Sequence, residues 1–274
     1  MAVIVASLLA ACGQAGREAP HHTRIAHPSA RDRVVLRVAT EGGFVAPQAL
    51  VGRLPDFSLY GDGTVVTVGA QPEIYPGPAL PGLLDRRLTQ DGVQSVLRAA
   101  SRAGLFGPNR AYRSAPISDM PTTVFTLWAG GGTHVVTVYD LGGTSPAISA
   151  SERRARQMLQ HLEARLLDLP SWLPAGSYSG ERPFVPASSV FVRPYAWDRR
   201  LSEPSERWPL PAPLKTFGRP SNELPGARCG TLRGRDAATV LDLARRANQL
   251  TPWLSGGRSF SLLFRPLMPD QEGC

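Results

Sequence analysis

Apolar residues recur along this chain with two periods, near two and near 3.6, and the switches between them mark its elements. The run Val34-Val35-Leu36-Arg37-Val38 reads as a first strand. Phe57-Ser58-Leu59-Tyr60 and Thr64-Val65-Val66-Thr67-Val68 flank Gly61-Asp62-Gly63, the pattern of a β-hairpin whose turn residues tolerate positive φ. From Gln71 to Gly82 the prolines 72, 76, 78 and 81 remove ladder donors, so that stretch is expected to be loop. Thr89 is placed to cap a helix to about Ala103, with Val93, Val96, Leu97 and Ala100 on one face and Gly104 at its end. A second hairpin follows, residues 123–128 and 135–139 around Gly130-Gly131-Gly132. A strand follows that triple glycine where a phosphate-binding loop requires a helix, so it reads as a turn.

Ser151 is placed to cap a second helix with Ala155, Met158, Leu159, Leu162 and Leu166 at helical spacing, stopped by Pro170. Residues 171–228 are rich in Pro, Ser and Arg, with one strand candidate at Val190-Phe191-Val192. A third helix is expected from near Asp236, carrying Val240, Leu243, Ala244 and Ala247, and then an alternating strand from Phe260 to Phe264. Leu97-Arg98-Ala99-Ala100 parallels Leu241-Asp242-Leu243-Ala244, and Trp128 before Gly131-Gly132 parallels Trp253 before Gly256-Gly257. The pattern raises the expectation of two related helix-plus-hairpin units. Hairpins interrupted by single helices give an α+β class: antiparallel sheet with about three helices packed on one face. The expected division is 1–11 signal, 12–33 flexible tether, 34–170 a first α+β unit, and 171–274 a second, Pro-rich unit able to share one core with the first.

The ends of the chain carry the clearest signals. An uncharged apolar run ends in Leu9-Ala10-Ala11-Cys12, too short for a membrane span, which needs ~20 apolar residues. The ending resembles the lipobox of bacterial lipoproteins, in which the cysteine thiol takes a diacylglycerol and a peptidase cuts before it. The resemblance implies lipidation of Cys12, a mature chain starting there, and a position outside the cytoplasm on a membrane. No Lys or Arg precedes the run, a departure from signal anatomy that a start codon placed too far downstream explains. The alternative is an ordinary cytosolic N-terminus. Residues 13–33 show no apolar period, and His21, His22 and His27 among them lack the ligand spacing of a metal site. With Cys12 lipidated, Cys229 and Cys274 remain as an even pair in an oxidising compartment; in a reducing cytosol both would be free thiols.

Charge alters this picture little. The 274 residues carry 30 basic and 22 acidic side chains, a net +8, and Lys215 is the single lysine. The arginines are dispersed in doublets such as Arg153-Arg154 and Arg245-Arg246, which argues against a nucleic-acid face. Catalytic chemistry finds little footing. Outside the tether the histidines are His134 and His161, and Gly176-Ser177-Tyr178-Ser179-Gly180 has Tyr where a nucleophile elbow needs Ser. Leu254-Ser255-Gly256-Gly257 has no accompanying phosphate-binding loop. No catalytic residue, metal ligand or cofactor is therefore assigned. Glu41, Asp62, Glu73, Asp119 and Asp140 lie near expected strand ends and supply the only route to an enzyme, an envelope hydrolase using paired carboxylates. Trp128, Trp172, Trp197, Trp208 and Trp253 are either core or the lining of a sugar or peptide groove.

Phe57 through the Gly61-Asp62-Gly63 hairpin, Ile74-Tyr75-Pro76-Gly77, Arg265-Pro266-Leu267 and Pro269-Asp270 resemble uncharacterised secreted proteins of high-GC Gram-positive bacteria. That resemblance implies export and no chemistry. The expected protein is a lipid-anchored binding or inhibitor-like module, held to a membrane through its N-terminal lipid and facing an envelope protein or polymer.

Overall fold

The computed structural model describes residues 23–71, 74–113, 118–144, 146, 148–184, 186–194 and 203–274. The first half of the chain gives β1 (Val34–Gly42), α1 (Pro47–Gly52), β2 (Phe57–Tyr60), β3 (Thr64–Val68), β4 (Leu83–Arg87), α2 (Gln90–Arg102), β5 (Arg110–Tyr112), β6 (Pro121–Ala129), β7 (Gly132–Tyr139) and α3 (Ala150–Leu167). Then come β8 (Arg182–Pro183), β9 (Ser188–Pro194), β10 (Glu206–Arg207), β11 (Arg219–Pro220), β12 (Arg228–Leu232), α4 (Gly234–Ala244), β13 (Trp253–Ser255) and β14 (Arg258–Pro266). They form two mostly antiparallel sheets, ordered β5-β7-β6-β1-β2-β3-β4-β8 and β10-β13-β14-β9-β12-β11. The α+β class follows. Among the described residues, only the edge pairs β5–β7 and β10–β13 are parallel.

Alternation fixes which face of each strand is covered. Leu36 and Val38 on β1, Phe57 and Leu59 on β2, and Phe125 and Leu127 on β6 turn to one side, where Val93, Val96 and Leu97 of α2 and Leu159, Leu162 and Leu166 of α3 meet them. The Thr89 hydroxyl accepts the Gly92 N–H at 3.2 Å, capping α2 as expected. The cap of α3 is Ser149 rather than Ser151, its hydroxyl accepting from Glu152 N–H. In the second sheet Val190, Val192, Phe260, Leu262 and Phe264 face Val240, Leu241 and Ala244 of α4.

The other face of each sheet receives residues from the other half of the chain. Met268, past β14, packs with Tyr60, Val66 and Leu83 behind the first sheet. Val51 of α1 packs with Phe191, Leu224 and Cys229 behind the second. Segment boundaries shift accordingly. Trp172 and Tyr178 pack against the first core, and β8 pairs with β4, so the first sheet keeps the chain as far as Pro183, past the expected boundary at 170. The part of the expected tether within the described residues is also not free. The Gln94 side chain clamps Ile25 through both its backbone groups, at 2.8 and 2.9 Å, and the Ala26 carbonyl accepts from Gly130 N–H. At Gly61 a Cβ would lie 2.6 Å from the Pro28 carbonyl oxygen, so only glycine admits this segment.

Leu97 and Leu241 are both buried, yet the two helix-plus-hairpin units are not built alike. The inner strand of the first hairpin is its first, β6, beside β1; that of the second is its second, β14, beside β9. Turn placement explains the difference. Ala129 pairs with Gly132, so the first turn is Gly130-Gly131, two residues after Trp128; Ser255 pairs with Arg258, so the second is Gly256-Gly257, three after Trp253. All four glycines have positive φ, as such a two-residue turn demands. A shift of one residue reverses the face. Trp253 points into the core under α4, whereas Trp128 points away from α2 to the back of the first sheet.

Candidate functional site

Alternation in β1 that buries Leu36 and Val38 sends Arg37 to the opposite face, beside Ser58 and Tyr60 of β2. There it meets the C-terminal tail. Met268 N–H donates to Gln271 Oε1 and Gln271 N–H to the Met268 carbonyl, a tight loop that presents Asp270. The Arg37 guanidinium holds both Asp270 oxygens, at 2.7 and 3.0 Å, a paired fork geometry stronger than a single bond. Its Nε donates to Ser58 Oγ at 3.1 Å, and the Tyr60 hydroxyl donates to Asp270 at 2.8 Å.

Burial alone would raise the Asp270 pKa, but the hydrogen bonds and charge of Arg37, with Tyr60, outweigh it and hold the carboxyl below its usual value. Burial, reinforced by the Asp270 charge, keeps the Tyr60 hydroxyl protonated far above its ordinary range. An unfolded chain binds a proton at Asp270 more readily than the folded one. The stabilisation is therefore complete above the ordinary carboxylate pKa, ~4, and is lost as pH falls through the folded value. Followed by urea midpoint from pH ~6 to ~2, wild type should lose stability more steeply than Asp270→Asn. Parallel curves would remove Asp270 as a source of acid sensitivity.

This network floors an open cleft of about 740 Å³ between the N-terminal segment and the tail. Pro28, Asp32 and Arg33 line one side, Gln271 and Glu272 another, and the half-buried Trp128 forms a wall. Among the described residues, the side chains of Asp32, Arg33 and Glu272 and the Trp128 indole N–H have no hydrogen-bond or ion-pair partner. The floor is internally satisfied while the rim groups are free to meet a ligand.

Residues singled out from sequence fall elsewhere. Cys229 and Cys274 come together at disulfide distance, with Cα atoms 5.8 Å apart. Cys12, His21, His22, Glu73 and Trp197 lie outside the described residues. Asp62 accepts from Thr64 N–H in its turn and pairs with Arg87 at 3.3 Å. Glu41 is exposed at the end of β1; Asp119 and Asp140 flank β6 and β7 at the same end, both with positive φ. The Asp140 carboxylate lies against Gly143, where a Cβ would meet it at 1.9 Å, so it belongs to a tight turn. His134 Nδ1 is 3.0 Å from the Gly107 carbonyl and packs on Phe106; His161 is exposed on α3. The Ser177 carbonyl and Ser179 hydroxyl accept from Thr89 and Arg87 N–H groups, which makes 176–180 a structural turn.

No family model, curated protein or solved structure matches this chain. Sequence reading missed the Arg37–Tyr60–Asp270 network. Its available signal was an arginine inside an apolar strand, which demands a buried acceptor, but nothing in the sequence identifies that acceptor as a residue 233 positions away.

Proposed function

We propose that this protein is exported, carries lipid on Cys12, and acts at the cell envelope as a non-enzymatic binding module whose ligand enters the cleft beside Trp128. The observation that carries the reading is the Cys229–Cys274 pair at disulfide distance. In an oxidising compartment the two join, and lipid on Cys12 then leaves none of the three cysteines free. The cleft supports binding over catalysis: its one deeply placed carboxylate, Asp270, is held in full by Arg37 and Tyr60 and is not available as acid or base.

The anchor also constrains position. From Cys12 to Thr23 the chain has eleven residues, reaching at most ~40 Å. Ala26 is fixed at the Gly130 turn, and Pro28, Asp32 and Arg33 line the cleft, so the ligand would be met close to the membrane. The test is detergent phase partitioning after expression in a bacterial host. The wild type should enter the detergent phase and Cys12→Ser the aqueous phase; identical partitioning would overturn the anchor.

A further inference from the structure

We infer that the cleft beside Trp128 takes an uncharged, hydroxyl-rich ligand, namely a segment of envelope glycan. This deepens the binding-module reading and rests on it. Charge is the first reason. The protein as a whole is +8, yet among the described residues the charged side chains lining the cleft are Asp32, Asp270 and Glu272 against Arg33 and Arg37, three acids to two bases, a local balance of −1. An anionic polymer or lipid headgroup would be drawn to the arginine-rich surface elsewhere and gains nothing here.

The second reason is the kind of group on offer. Trp128 is held from behind by the apolar cluster of Val34, Tyr60 and Met268, and its indole N–H is unpartnered among the described residues. A fixed aromatic face fits the C–H face of a pyranose, whose hydroxyls project at the ring edge. Around it stand free acceptors on Asp32 and Glu272 and free donors on Arg33 and the indole. Hydroxyls both donate and accept, so they can satisfy both sets, whereas a purely apolar ligand would strand them. The volume of about 740 Å³ suits two or three sugar rings, within the range of ordinary ligand sites.

The experiment uses the full chain carrying Cys12→Ser, so that lipid plays no part in binding. A soluble β-1,4-linked N-acetylglucosamine tetramer and a glycerol-phosphate polymer are titrated calorimetrically. The tetramer should bind, Trp128→Ala should weaken it at least tenfold, and Trp128→Phe should stay within about threefold of wild type. Near-ultraviolet circular dichroism establishes that each variant is folded. No tetramer binding, tetramer binding indifferent to Trp128→Ala, or a Trp128-dependent preference for the polyanion would each overturn the glycan assignment. Such a failure with Cys12-dependent partitioning intact leaves the anchor standing; tetramer binding with Cys12-independent partitioning does the reverse.

Discussion

Breaking the Cys229–Cys274 pair should cost the oxidised protein roughly 4 kcal/mol, the chain-entropy figure for a cross-link over 45 residues. For a chain of this size that corresponds to a melting temperature lower by about 10 °C. The effect works through the unfolded chain, whose freedom the link restricts. Other native ties of the tail therefore do not diminish it. Those ties are several: Leu267 N–H donates to the Ala187 carbonyl at 2.8 Å, Met268 is buried, Asp270 is held by Arg37, and Cys274 N–H donates to Thr231 Oγ1. With these ties the reduced protein should keep its tail docked below the new melting point. Mass spectrometry of unreduced, exported protein should find the linked peptides. Two free thiols in such material, or an unchanged melting temperature on reduction, would refute the link.

Replacing Trp253 by alanine should cost ~3–5 kcal/mol, the usual range for an aromatic residue removed from a core. Its side chain is 1% exposed and meets Trp208 and Phe264 edge-on, with ring centroids at 6.3 and 5.6 Å. Trp128→Ala should cost only ~1–2 kcal/mol, because that side chain is already partly exposed. Urea denaturation of the two variants measures the contrast. Equal losses would mean that the two tryptophans occupy equivalent places after all, and the reversed hairpin order would lose its physical meaning.

Local chemistry was legible from the chain. Alternation located β1, β2, β3, β6, β7, β9 and β14, glycines marked the hairpin turns, and a 3.6 period located α2, α3 and α4, with the Thr89 cap marking the start of α2. Each of those signals is carried by neighbours within a few residues. The short strands were not legible. In β4 the sequence Leu-Leu-Asp-Arg-Arg looks like surface, yet Asp85 is buried because Arg182 reaches it from β8, 97 residues on. Two-residue edge strands such as β8, β10 and β11 carry no periodicity at all.

The sequence by itself determined the class of fold and the places of the long strands and helices. Those follow from side-chain period. Tertiary structure alone decided that the tail returns across β1, that the N-terminal segment folds down onto Gly61 and Gln94, and that Trp128 faces away from its helix. The first two join residues far apart in sequence. The last hangs on a one-residue difference in turn position, which reverses a face without changing composition or period.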